Sequence, residues 1–438
     1  MMKKILIALA LVFALAGCSE DRSQILKVYN WADYIDEDLL EEFEQWYEEE
    51  TGEHVEIIYQ TFDINETMLS KIELGHEDYD VVCPSDYIIE RMLKNDLLLP
   101  LDRNFGDTED YISNVAPYIS DKLGQIEENG RNARDYSVGY MWGTVGLIYN
   151  PKYIAEEHVN SWDVLRNPAY SGKVLMKDAF RDVYTAFLVA LNKEAIDAGE
   201  KSLETLTYDT SEESIALVEE YLNSFRDGVC GWEADFGKEQ MTKELAWINL
   251  SWSGDAQWAI DEAAEIGMEL RYNIPETGSV IWFDGWVIPK YAKNVKAANY
   301  FINFMCKPEN ALRNMDMTGY VSAIGGDMIL ESMSDPESYE PLDASYFFGP
   351  QANSVCVNPV MYPEKKTVES CGMLHDTDTE ALLKMWSRVK GDNASAWTYT
   401  LICLVFAGLI TLVILKYTRK AYRRRNRRRK YNKKVTRR

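Results

Sequence analysis

LKVYNWADYIDEDLLEEFEQWYEEETGEHVEIIYQTFDINETMLSKIELGHEDYDVVCPSDY, residues 26–87, decides the fold. Leu26 to Asn30 is a short β run. From Asp36 to Glu50, Leu39, Leu40, Phe43, Trp46 and Tyr47 recur at helical spacing, and Gly52 suits the helix end. His54 to Tyr59 alternates, with Val55, Ile57 and Tyr59 on one side. Asn65 to Leu74 is again helical, Tyr79 to Cys83 is a buried strand, and Ile88, Ile89, Met92 and Leu93 give the next helix an apolar stripe. A β-α-β-α-β order of this kind predicts a parallel, doubly wound sheet.

Working outward, a second such unit begins near Gly146. Strands are expected at Lys173 to Met176 and Ala246 to Leu250, and helices at Val183 to Asn192, Ser211 to Phe225 and Ala256 to Glu265. Trp282 to Pro289 is extended and Val295 to Cys306 helical. With 438 residues the chain is long enough for two lobes, and two α/β lobes with a cleft between them fit the pattern.

The two ends differ from this body. Met1 to Lys4 is a basic start and Ile5 to Ala16 an apolar run, closing on Leu15-Ala16-Gly17-Cys18. This resembles the lipobox of bacterial lipoproteins, which implies cleavage of residues 1–17 and lipidation of Cys18; the bland alternative is an uncleaved hydrophobic anchor. Ala396 to Leu415 is 20 residues without a charge, about 30 Å as a helix, flanked by Trp397, Tyr399 and Tyr417. Residues 416–438 are dense in Lys and Arg, so the positive-inside rule keeps this tail in the cytoplasm while the signal exports the body. Contact of the tail with anionic lipid or a transporter subunit is favoured over a nucleic-acid arm.

The net charge of −25 hides a split. Residues 5–393 carry 30 Lys/Arg against 71 Asp/Glu, whereas residues 394–438 carry 14 Lys/Arg and no acid. So acidic a body repels nucleic acid and attracts cations. Cysteine usage gives no disulfide framework: Cys356 and Cys371 are free to pair or to stay as buried thiols. The four His form no metal-ligand pair at helical spacing, and no Cys-x-x-Cys, phosphate loop or nucleophile turn occurs, so neither metal nor cofactor is expected.

In open α/β sheets, ligands bind beyond the carboxyl ends of strands. The residues there are Trp31, Asp33 and Tyr34; Ser85, Asp86 and Tyr87; Asp178 and Asp182; Trp252 and Asp255; and Trp282 and Asp284. Carboxylates recur at five strand ends with aromatics beside most of them. That pairing suits an elongated di- or trication: carboxylates neutralise the ammonium ends and aromatic faces pack the methylenes. Taken singly, each Asp is as well explained as a helix N-cap, and Asp182 as a cap or a partner of Arg181. Paired carboxylates and aromatics also line sugar-cleaving sites, but nothing singles out one acid/base pair.

At these same residues the chain resembles the bacterial spermidine/putrescine-binding proteins, extracytoplasmic components of ABC importers. The resemblance runs from about Lys27 to Lys390. It is carried by Val28-Tyr29-Asn30-Trp31-Ala32-Asp33-Tyr34, Asn65-Glu66-Thr67-Met68, Tyr79-Asp80-Val81-Val82-Cys83-Pro84-Ser85, Tyr140-Met141-Trp142-Gly143, Trp282-Phe283-Asp284 and Gly319-Tyr320. It implies a two-lobed, hinge-bending periplasmic-binding-protein-like fold (type II). Expected boundaries are 18–145 and 283–328 for the first lobe, 146–282 and 329–393 for the second, then a span at 396–415 and a tail at 416–438. It also implies putrescine or spermidine as ligand, permease subunits as partners and no enzymatic activity. Trp31, Asp33, Tyr34, Ser85, Tyr87, Asp284 and Tyr320 match cleft positions of the first lobe. Asp178, Asp182, Trp252, Asp255 and Trp282 match positions on or near the second, and Asp255 is similar to a carboxylate of putrescine binders. Asp86 replaces a small hydroxyl residue and adds a carboxylate. Ala179-Phe180-Arg181 is one residue longer than in some relatives. The remaining alternatives are a binding protein for another small solute and a surface glycosidase.

Overall fold

The computed structural model describes residues 22–234 and 236–391. The leader, Cys18, the apolar run 396–415 and the basic tail lie outside the described residues. Among the described residues no helix is long and apolar enough to cross a membrane.

The opening stretch folds as its periodicity predicts. Strand β1 (Ile25–Trp31) pairs in parallel with β2 (Glu56–Phe62) and with β3 (Val81–Val82). Between and after them run helices α1 (Asp38–Thr51), α2 (Asn65–Glu73) and α3 (Asp86–Lys94). Helix α1 ends where Gly52 takes φ 70°, a conformation that glycine adopts without a Cβ penalty.

Two long strands organise the rest; the sequence reading misses the first and starts the second, at Trp282, three residues late. Strand β4 (Ser137–Tyr149) has every one of its 13 residues buried. The strands β5 (Val174–Lys177), β6 (Val229–Glu233) and β7 (Ile248–Trp252) follow, with helices α4 (Phe180–Leu191) and α5 (Ser253–Glu265). Strand β8 (Ser279–Pro289) is likewise wholly buried, and helix α6 (Val295–Met305) follows it. Continuous apolar runs of this kind mark strands covered on both faces. The sheet order is β2-β1-β3-β8-β4-β7-β5-β6.

Strand β4 spans both halves of this order. Its residues 137–144 pair with β8, and its residues 145–149 pair with β7. The parallel pairing expected of the opening β-α-β-α-β stretch holds for β1, β2 and β3, but the sheet as a whole is mixed. Strand β8 runs antiparallel to β3 and to β4, and β7 antiparallel to β4, while β5, β6 and β7 are mutually parallel. The reason is the double crossing: a chain that passes from one lobe to the other and back must reverse direction in the sheet.

Beyond Thr318, strand β9 (Val321–Ser322) pairs with residues 141–142 of β4, and β10 (Cys371–Met373) with residues 279–281 of β8. The segment after Ile329 was expected wholly in the second lobe. Instead Phe347 stacks on Trp142 and Tyr346 meets Tyr118 edge-on, on the side of the first lobe. Asn358 donates to Gln257, and Arg181 to Thr377, on the side of the second. Cys356 and Cys371 are free thiols, as are Cys83, Cys230 and Cys306.

Candidate functional site

Strand β1 delivers Trp31 to the sheet's carboxyl edge, where it packs on Phe62. Asp33 then takes φ 52°, a left-handed turn that Asp tolerates better than most residues. This turn sends Tyr34 back into the protein, where its hydroxyl donates to Asp284 Oδ2 at 2.9 Å. Tyr140 locks the turn by donating to the Tyr34 carbonyl at 2.7 Å.

The β3–α3 corner supplies the other arm. Ser85 occupies the cap position of α3 but caps nothing with its side chain. Its Oγ instead donates to Asp284 Oδ1 at 2.6 Å and accepts from Asn65 Nδ2 at 3.0 Å. Asn65 also reaches the Tyr87 hydroxyl at 3.1 Å. The pairing of β8 with β4 shifts register between Asp284 and Gly285. Such a bulge re-aims a side chain, and here Asp284 bridges to Ser85 across the strand edge. Asp86, first residue of α3, is fully buried; its Oδ1 accepts from the Tyr87 backbone N–H at 2.8 Å and its Oδ2 has no partner.

From the second lobe comes α4. Asp182 lies in its first turn and accepts from Trp252 Nε1 at 2.9 Å. It is not the ion partner of Arg181, which lies over the Tyr87 ring at 4.3 Å and donates to the His375 carbonyl, Thr377 and Thr379. Three carboxyl groups from β8, α3 and α4 thus sense one another. Burial pushes Asp284 up to about 6 against the hydrogen bonds of Ser85 and Tyr34, with the charge of Asp182 adding to the rise. Burial also raises Asp86 well above the ordinary carboxylate range, the charges of Asp284 and Asp182 adding to it, and burial raises Asp182. None of the three forms an ion pair among the described residues.

Helix α5 begins at Ser253, three residues earlier than its apolar spacing suggests, so Asp255 falls in its first turn. There the positive end of the helix dipole favours a carboxylate. Asp255 accepts from Tyr320 at 2.9 Å, which ties the second lobe to the chain just before β9. Two glycines permit this closeness. A Cβ on Gly254 would stand 2.3 Å from the Tyr320 ring, and one on Gly143 would stand 2.6 Å from Ser253 Oγ and 2.7 Å from Trp282. Tyr320 in turn meets Tyr34 and Trp282 edge-on, at 5.4 and 5.5 Å between ring centroids.

Ten of the thirteen sequence-derived residues therefore form one aromatic–acidic cluster around the junction of the lobes, while the ring contact of Trp31 is with Phe62. Asp33 and Asp178 do not join it: both are exposed. Five further residues are not read as site residues: Asn65 and Arg181, which the sequence reading names only in passing, and Lys177, Glu233 and Lys238, which it does not single out. Lys177 ends a strand, as every chosen residue nearly does, but a search for anions passes over a cation.

Residues 39–326 match the family of bacterial extracellular solute-binding proteins. The chain belongs to that family. Among relatives of this solute-binding protein, the spermidine/putrescine-binding periplasmic protein of Escherichia coli is 28% identical over 319 residues, covering 73% of this chain and 83% of the relative. The putrescine-binding periplasmic protein SpuD of Pseudomonas aeruginosa is 29% identical, covering 70% and 80%. Among solved structures, the spermidine/putrescine ABC transporter substrate-binding protein PotD of Streptococcus pneumoniae is 29% identical and superposes with a TM-score of 0.62, over 84% of this chain and 98% of that one. The expected periplasmic-binding-protein-like α/β fold is thus the observed one, and the family is one of binders, not enzymes.

Proposed function

We propose that this solute-binding protein captures a small polyamine, putrescine or spermidine, between its lobes and delivers it to the permease of an ABC importer. One observation carries the reading: Asp86, Asp182 and Asp284 sense one another's charge and none is ion-paired among the described residues, with Tyr34, Tyr87, Trp252, Trp282 and Tyr320 around them. An alkylammonium ion is the solute that both neutralises such carboxylates and packs its methylenes on aromatic faces. The printed functions of the E. coli, P. aeruginosa and S. pneumoniae relatives support the same ligand class. Because the carboxylates come from both lobes, a ligand that touches all three binds the closed form better than the open one, and only such differential binding drives closure.

The body works outside the cytoplasm in this reading, held to the membrane by a lipid on Cys18, by the apolar run 396–415, or by both, with the basic tail inside. The decisive measurement is thermal unfolding with and without amines. Putrescine or spermidine at about 100 times its dissociation constant adds about 2.7 kcal/mol to the protein's stability. No upward shift with either amine sinks the polyamine reading; a shift with a sugar or amino acid instead redirects it to another solute.

A further inference from the structure

Lys177, the last residue of β5, is buried, with 1% of its side chain exposed. Its Nζ lies 2.5 Å from Asp255 Oδ2, 3.5 Å from Glu233 Oε1 and 4.2 Å from the centre of the Trp252 ring. Two carboxylates and an indole face are the groups that recognise an alkylammonium ion, and here the ion belongs to the chain itself. The cage around it is rigid. Glu233 is held by Asn249 Nδ2 at 3.0 Å and by the Gly237 N–H at 3.1 Å. Trp252 is held by Asp182, and Asp255 by Tyr320. Lys238 adds a second cation, 3.4 Å from Asp255 Oδ1. Two lysines thus face two carboxylates, and this half of the cluster is electrically neutral. Asp86, Asp182 and Asp284 form no ion pair among the described residues, although the charges of Arg181 and Lys177 both act on Asp182.

We propose that Lys177 is a tethered ammonium that fills the cation subsite of the second lobe, so that the receptor selects diamines over triamines. The inference rests on the polyamine reading and deepens it. A diamine finds its carboxylates in Asp284, Asp86 and Asp182. The third ammonium of a triamine meets Asp255 already neutralised. To use it, the ligand must displace a cation that covalent attachment holds at high local concentration. The displaced lysine then remains beside the incoming charge, in a region of low dielectric where like charges repel strongly. Asp255, read from sequence as a ligand carboxylate, becomes instead the anchor of this internal cation.

Calorimetric titration of the full-length protein in non-ionic detergent, with putrescine and with spermidine, tests the proposal. The unaltered chain is expected to bind putrescine at least about tenfold tighter, a difference of 1.4 kcal/mol. Lys177→Met is expected to abolish that preference by tightening spermidine, and Lys177→Arg to retain it. Spermidine binding as tight as putrescine in the unaltered chain overturns the proposal. So does a folded Lys177→Met protein that keeps the preference. If the Met variant does not fold, Lys177→Gln replaces it, and the ratio in the unaltered chain decides by itself. An unaltered chain that binds neither amine instead removes the polyamine reading, and this inference with it.

Discussion

Asp284 shows most directly how burial becomes function at the scale of one residue. Its two oxygens are occupied by Tyr34 and Ser85, yet burial outweighs both donors and lifts the carboxyl to about 6. For an acid with a raised folded value, the folded state binds the proton more tightly than the unfolded state does. Stability contributed by this group is therefore lost as pH rises from about 4 through about 6, on the order of 3 kcal/mol in the empty protein. A bound ammonium reverses the preference, because it favours the ionised carboxylate. Affinity for putrescine is accordingly expected to fall about tenfold between pH 7 and pH 5, with a proton released on binding near pH 5.5. Titrations in buffers of different ionisation enthalpy measure that proton. Asp284→Asn should both weaken binding and flatten the profile; a variant of unchanged affinity and slope would place Asp284 outside the site. The strand-end rule found this residue and Ser85, but not Asn65, which donates to Ser85 from the start of α2, and only the fold brings it there.

Elements made of one uninterrupted period were legible in the sequence: β1, α1 and β2 fall within a few residues of where their spacing puts them. Strand β4 was not, because a strand buried on both faces has no alternation to detect, and its Gly139, Gly143 and Gly146 look like turn residues. They are glycines for contact instead. The start of α5 was hidden for a similar reason, since Ser253-Gly254-Asp255 precedes the first apolar position of its stripe. That small-residue turn makes a prediction at this scale. Gly254→Ala forces a methyl group into the Tyr320 ring, and the ring must leave Asp255 or the helix must back away. Overpacking of this kind costs about 1–3 kcal/mol, readable as a lowered denaturation midpoint, and ligand affinity should fall with it because Tyr320 borders Tyr34 and Trp282. A midpoint and affinity both equal to those of the unaltered protein would show that the two lobes do not pack through this turn.

The whole molecule adds a field that no single site supplies. Its body carries 30 basic against 71 acidic residues over positions 5–393, and most of those carboxylates are nowhere near the cluster. Where exposed ones pair, as in Arg271 with Glu156 and Glu269, the pairs are worth little to stability. Their summed potential still acts at a distance, drawing small cations toward the surface and raising the encounter rate. The Debye length shrinks from about 30 Å at 0.01 M salt to about 8 Å at 0.15 M, so the distant carboxylates are screened first while the buried ones keep their grip. The association rate of putrescine, followed by stopped-flow fluorescence of the tryptophans at the cluster, should therefore fall several-fold over that range. The dissociation rate should change much less, because it reports the buried carboxylates and aromatic faces that remain unscreened. An association rate indifferent to salt would mean that the acidic surface serves solubility alone, and that capture of the amine begins only once it has reached the space between the lobes.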